Sequence, residues 1–277
     1  MFTDRPLAGN GLAVVHDADD LGDEVMQAFA RETRLSETSF VQSPSGGGHA
    51  DYRHRIFTMG GEIPFAGHPS LGVAAAVARL RGERSATYVQ QTRAGEQAID
   101  VELDGLGARV SVLQEPPGFG PELDAGAVLG LVGLSADDAD PRLPCQVVST
   151  GGPQVLACVR HPEALARLEP DYEGIEPLLV EHAAITLYVA AVDHEAGSAR
   201  TRSFLPTAEM GEDPATGAAV GPLCAHVAAR TGRRRIETTQ GVEMGRPSVL
   251  WAAVEGDRVR VGGDAVILAE GVVHLDG

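Results

Sequence analysis

The chain has 277 residues, with 39 acidic against 22 basic side chains and a net charge of −17, a balance that argues against nucleic acid or an anionic membrane surface as partner. Every basic residue is Arg and no Lys occurs, which excludes a lysine Schiff base and a P-loop lysine. An apolar share of 43% supports sizeable cores, while aromatics at 4% and 34 glycines point to small-residue packing and many turns.

Cys145, Cys158 and Cys224 are far apart and form no C-x-x-C pair, so neither a zinc site nor a dithiol is expected. Such cysteine usage fits a reduced, cytoplasmic protein. Neither a signal-peptide pattern nor an apolar run long enough to span a membrane is visible.

In chain order, Gly9–Val15 reads as a turn and a strand, and a helix is expected over 21–33 with Asp19 or Asp20 as its N-cap. Residues 34–42 pass into a strand with Glu37 at its start; 43–48 form a hairpin loop and 52–58 the next strand. A helix of small apolar residues is predicted over 69–80, with Pro69 in its first turn. Strands at 86–91, 97–103 and 108–113 follow, and the Pro/Gly-rich stretch 114–121 reads as a linker. Beyond it the expectation is an acidic helical passage at 123–139, strands at 146–149 and 154–159, and a short helix at 162–168. Strands at 183–192 and 199–205 precede a second apolar helix over 218–231. Thr216 is its expected N-cap, and Pro222 inside it is without a local explanation. Strands at 235–239, 248–254, 259–261 and 266–268 end the chain.

Two stretches repeat. Arg55-x-Phe57 is followed by Glu62-x-Pro64-x-x-Gly67 and a small-residue helix; Arg202-x-Phe204 is followed by Glu212-x-Pro214-x-x-Gly217 and another. From Glu62 to Gly82 the offset to the second copy is a constant 150 residues. This internal repetition predicts an α+β fold of two similar pseudo-repeated domains, each a strongly curved sheet or barrel wrapped around one central buried helix, with an active-site cleft between them. The expected domains are 1–114 and 115–263, with a final strand near 264–277 packing on the first. Free N–H groups at the starts of the two helices, with their dipoles, would attract a small carboxylate-bearing molecule. The copies diverge just after the glycine, where one has His68 and the other Ala218.

Together, Gly9-Asn10, Leu35-Ser-Glu-Thr-Ser-Phe-Val41, Glu62-Ile-Pro-Phe-Ala-Gly-His-Pro-Ser-Leu-Gly72, Ser149-Thr-Gly-Gly-Pro153, Thr201-Arg-Ser-Phe204, Glu212-Asp-Pro-Ala-Thr-Gly217 and Gln240-Gly-Val-Glu-Met-Gly-Arg-Pro-Ser248 resemble the PhzF-like family of phenazine biosynthesis. That family shares the diaminopimelate-epimerase fold. The resemblance implies a cofactor-independent isomerase and a homodimer, with isomerisation of a dihydro-hydroxyanthranilate as the characterised activity. It implies Glu37 as the acid/base group, His68 as a site histidine and Asp213 as an acid contacting polar substituents of the substrate. Asn10, Gly67, Thr216, Gly217 and Ala218 complete the expected substrate-binding set. The family usually has Ser where Ala218 stands, so a hydroxyl donor is missing here. A glutamate that takes and returns a proton needs partial burial to raise its pKa toward neutrality. Two other readings stay open: a binding protein that kept the site and lost turnover, and an amino-acid epimerase or racemase. The latter would need a thiol at each helix start, where the chain has His68 and Ala218. A Ser-His-Asp hydrolase has little support without a G-x-S-x-G element.

Overall fold

The computed structural model describes residues 1–275. Its chain divides into two compact units, one combining Met1–Val112 with the segment from Gly263 onward, the other spanning Leu113–Gly262.

The first unit begins with β1 (Ala13–Val15), α1 (Asp23–Thr33), β2 (Thr38–Gln42), β3 (Tyr52–Phe57) and the two-residue β4 (Glu62–Ile63). After these come α2 (Gly67–Arg81), β5 (Ser85–Thr92), β6 (Gly95–Asp104) and β7 (Gly107–Leu113). The ladder runs β1-β2-β3-β5-β6-β7, with β4 hydrogen-bonded to β3. Two of its pairs, β1 with β2 and β3 with β5, are parallel. Parallel neighbours need a crossover, and α1 and α2 supply one each. Almost every residue of α2 from His68 to Ala78 is buried, as expected for a helix apolar on all faces. It packs against β1, β2, β3, β5 and β6, so the sheet curls around it. A satellite core of Ala18, Met26, Ala30, Phe40 and Phe57 joins α1 to the other side of the sheet.

The second unit contains β8 (Gly118–Glu122), α3 (Ala125–Gly130), β9 (Gln146–Ser149), β10 (Pro153–Val159) and α4 (Tyr172–Glu181). It continues with β11 (Leu187–Asp193), β12 (Ser198–Phe204), β13 (Glu212–Asp213), α5 (Gly217–Thr231), β14 (Arg235–Gln240), β15 (Ser248–Glu255) and β16 (Arg258–Val266). The last of these crosses from the second unit into the first at Gly263. The pairing plan repeats: β10 lies parallel to β11 with α4 between them in sequence, and β12 parallel to β14 with α5 between them. The central helix α5 is buried from Ala219 to Val227 and packs against β9, β10, β14 and β15.

Several expectations are corrected. The 123–139 passage is helical only over Ala125–Gly130 and a 3-10 turn at Ala136–Asp138. The stretch read as a linker contains the exposed edge strand β8. Helix α4 was not anticipated, because Gly174 and Pro177 interrupt its pattern, yet the repeat demands it as the counterpart of α1. The strand expected at 259–261 lies within the longer β16, which ends at Val266, so the strand expected at 266–268 does not form beyond that residue; of the final segment near 264–277, positions 276–277 lie outside the described residues. Asp19 caps no helix: the N-cap of α1 is Gly22, and the Asp19 carboxylate accepts from the backbone N–H and hydroxyl of Ser43. Thr216 occupies the N-cap position of α5 without a side-chain capping bond. Pro222 lies within the unbroken helix Gly217–Thr231, where its missing N–H leaves the Ala218 carbonyl without its usual helical donor.

Candidate active site

The repeated motif has a structural meaning in both units. Arg55 on β3 grips Glu62 on β4 with two hydrogen bonds, 2.9 Å from Nε and 2.7 Å from Nη2. Arg202 on β12 grips Glu212 on β13 with the same pair of lengths. Each guanidinium also stacks on the phenylalanine two residues later, Phe57 at 5.2 Å and Phe204 at 5.1 Å. Bidentate Arg–carboxylate pairs fix orientation as well as distance, so each fork pins the short strand that leads into a central helix. In unit 1, Gln27 and Arg31 of α1 also donate to the carbonyls of Thr58 and Met59.

At the start of α2, unit 1 gathers residues from three separate stretches. Glu37 immediately precedes β2, and its side chain is 17% exposed. Its Oε2 is buried, accepts no hydrogen bond, and lies 3.4 Å from Nε2 of His68, the second residue of α2. That separation is longer than an ordinary hydrogen bond, and the two attract as an ion pair only when the ring is protonated. On the other side of the ring, Asn10 Nδ2 donates to His68 Nδ1 at 3.3 Å, and Asn10 Oδ1 accepts from the Ser36 hydroxyl at 3.3 Å. An amide NH2 can only donate, so Nδ1 is the acceptor and the neutral ring carries its proton on Nε2, facing Glu37. Burial pushes the Glu37 carboxyl above its ordinary value, with the polar side chain of the adjacent Ser36 acting in the opposite direction.

Asn10 is 2% exposed, which makes it a holder of His68 before anything else. Gly67 opens α2 and Gly217 opens α5. Within unit 2, Asp213 is on β13 and its Oδ2 accepts from the Thr216 hydroxyl at 2.7 Å. Ala218 is the second residue of α5 and brings no hydroxyl. One turn further on, Gly221 leaves room for Gln114: a Cβ there would stand 1.8 Å from Gln114 Oε1. That oxygen accepts from Thr150, and Gln114 Nε2 donates to the Gly217 carbonyl at 3.2 Å. The sequence reading missed the roles of Ser36, Gln114 and the two arginines. The Arg-x-Phe repeat was visible, but a fork to a glutamate seven or ten positions away has no local signature.

Among the described residues, no group of three or more His, Cys, Asp and Glu side chains is disposed to hold a metal ion, and no helix is long and apolar enough to cross a membrane.

The architecture is that of an α+β protein with two pseudo-repeated units of the diaminopimelate-epimerase type. It carries a titratable Glu–His pair at the start of a buried helix. The chain belongs to the family described as phenazine biosynthesis-like protein, whose model matches residues 1–271, and it is an isomerase of that family. It is 35% identical over 287 residues to a trans-2,3-dihydro-3-hydroxyanthranilate isomerase of Pseudomonas fluorescens, covering 99% of this chain and 97% of the relative. A PhzF-family phenazine biosynthesis protein of Bacillus anthracis is similar in structure at TM-score 0.81 and 26% identity, over 97% of this chain and 96% of its own. A hydroxyproline epimerase of Agrobacterium vitis is similar at TM-score 0.56 and 15% identity over 84% of this chain and 74% of its own, a likeness of fold alone.

Proposed function

We propose that this isomerase moves a proton on a small carboxylate-bearing metabolite, cyclic and carrying amino or hydroxy substituents, without a cofactor. The observation that supports it is the Glu37 carboxyl, buried and raised in pKa beside a histidine whose tautomer is held by Asn10. As a carboxylate, Glu37 takes a proton from one carbon; the electron pair delocalises into the adjoining π system; the resulting carboxylic acid returns the proton to another carbon. A raised pKa narrows the gap between the two protonation states near neutral pH, so both halves of the cycle are accessible. His68, with Nε2 3.4 Å from Glu37 Oε2, is placed to steady the carboxylate between transfers. The N–H groups at Gly67 and the start of α2 offer charge stabilisation to an anionic intermediate. On unit 2, Asp213, Thr216, Gly217 and Ala218 are proposed as substrate-binding groups, Asp213 for polar substituents. The missing hydroxyl at Ala218 is where the preferred substrate would depart from that of the named relative. As in the family resemblance, the protein is proposed to work as a cytoplasmic homodimer, which sedimentation equilibrium would test.

The decisive experiment follows deuterium uptake from D2O into trans-2,3-dihydro-3-hydroxyanthranilate and a panel of cyclic amino and hydroxy acids. Wild type should exchange at least one of them, and Glu37→Gln should bind it without exchange. Exchange retained in Glu37→Gln would remove Glu37 as the base. Binding by wild type with no exchange anywhere in the panel would favour a binding protein over an enzyme. An epimerase acting through paired thiols is disfavoured: Cys224 is buried inside α5 and burial pushes its thiol up to about 11.

A further inference from the structure

Gln240, the last residue of β14, is fully buried, and all four hydrogen-bonding positions of its side-chain amide are used. Nε2 donates to the Asp213 carbonyl at 2.6 Å and to the Thr216 hydroxyl oxygen at 3.0 Å. Oε1 accepts from the Thr216 backbone N–H at 3.2 Å and lies 3.2 Å from the Tyr188 hydroxyl. A backbone carbonyl can only accept and a backbone N–H can only donate, so the orientation of the amide is unambiguous. Because Gln240 donates to Thr216 Oγ1, that hydroxyl must spend its own hydrogen elsewhere, and it lies 2.7 Å from Asp213 Oδ2. The chain of donors is therefore directed: Gln240 to Thr216 to the Asp213 carboxylate. Behind it, Tyr188 and Thr201 form a buried hydroxyl pair at 3.0 Å that backs the amide.

Unit 1 provides an internal control. At the position 150 residues earlier stands Gln90, also fully buried on the corresponding strand. Its amide turns the other way, with Oε1 at 2.9 Å from His54 Nδ1 and Nε2 donating to Gln97. The residue matching Thr216 there is Ala66, which has no hydroxyl. The fold is built on this side without a link from the inner glutamine to the helix start, so the link in unit 2 is not something the fold itself requires.

We infer that Gln240 is a positioning residue, acting through Thr216 to hold the Asp213 carboxylate in one orientation as a charged acceptor. The inference rests on the proposal that Asp213 binds substrate, and it assigns Thr216 a holding role instead of a direct substrate contact. The test follows the carboxyl 13C resonance of Asp213, together with kcat and KM on trans-2,3-dihydro-3-hydroxyanthranilate, in wild type, Thr216→Ser, Thr216→Val and Gln240→Met. Thr216→Ser keeps the hydroxyl and should leave the Asp213 resonance at its wild-type position. Thr216→Val, of the same shape without the donor, and Gln240→Met should move the resonance in the same direction. Both should lower kcat/KM by about tenfold or more, the usual loss for a hydrogen bond to a charged group. A resonance unmoved in Thr216→Val, or moved there but not in a folded Gln240→Met, overturns the inference, as does Thr216→Ser behaving like Thr216→Val. Should Gln240→Met fail to fold, the Thr216 pair still decides. If wild type turns over no substrate, the isomerase proposal is what fails, and the resonance by itself still decides the positioning.

Discussion

At the scale of single residues, Glu37 sets activity against stability. Its carboxyl is held above the ordinary value of 4.5 by burial. The folded protein therefore binds more protons than the unfolded chain between 4.5 and the raised value, and stability falls as pH rises through that interval. Above it the full penalty of a buried carboxylate remains. Glu37→Gln is thus expected to raise the melting temperature at pH 7 while abolishing proton exchange; a lower melting temperature in calorimetry would contradict the assigned environment. The same shift predicts that kcat/KM falls with decreasing pH through a midpoint above the usual carboxylate range, because the base form is then lost. Asn10→Leu removes the donor at His68 Nδ1 and frees the ring to change tautomer. It should lower kcat by about tenfold, a part of the roughly 10²–10⁴-fold that positioned acid–base assistance supplies, with KM moving less, as steady-state kinetics would show.

At the scale of elements, the two Arg–Glu forks hold the short strands that lead into the central helices. Both partners of the Arg202–Glu212 pair are nearly buried, at 11% and 12% side-chain exposure, and Arg202 also donates to the Leu165 carbonyl at 2.8 Å. Removing one partner leaves the other buried without compensation. Arg202→Met is expected to cost about 3 kcal/mol or more in urea unfolding. Asp23, by contrast, meets Arg55 with its own side chain 78% exposed, so Asp23→Asn should leave the urea midpoint nearly unchanged. The elements also show what pattern reading could and could not see. Small-residue runs and the 150-residue repeat revealed α2 and α5: a run apolar on every face carries no period, and it is length beyond that of a buried strand that marks it as helix. Helix α4 escaped, since Gly174 and Pro177 break a ten-residue amphipathic pattern. The topology restores it, because two parallel strands need a crossover.

At the scale of the whole molecule, each unit holds a histidine whose pKa burial depresses. Burial lowers His54 to about 4, with its hydrogen bond to Gln90 Oε1 opposing. Burial and then the charge of Arg230 lower His226 to about 4. Both start from an ordinary value of 6.5, so between 6.5 and 4 the unfolded chain binds more protons than the folded one. Stability is then full above 6.5 and is lost as pH falls toward 4, by up to roughly 3 kcal/mol per histidine. Melting temperatures across that range should drop steeply. His54→Gln, which keeps a donor and an acceptor, should flatten the drop if it folds; an equally steep drop would assign the acid sensitivity elsewhere.

The sequence by itself determined the fold class, the internal repeat, the family and the candidates Glu37, His68 and Asp213. These rest on local composition, on spacing along the chain and on motifs that keep their order. Only the tertiary structure decided what those residues are. It brings Asn10, Ser36 and Glu37 to His68, turns the Thr216 hydroxyl from a helix cap to Asp213, and places Gln240 behind both. A hydrogen-bond partner 24 or 58 residues away leaves no trace in periodicity. Nor does burial, which is what raises Glu37, since solvent is excluded by the surrounding chain and not by neighbours in sequence.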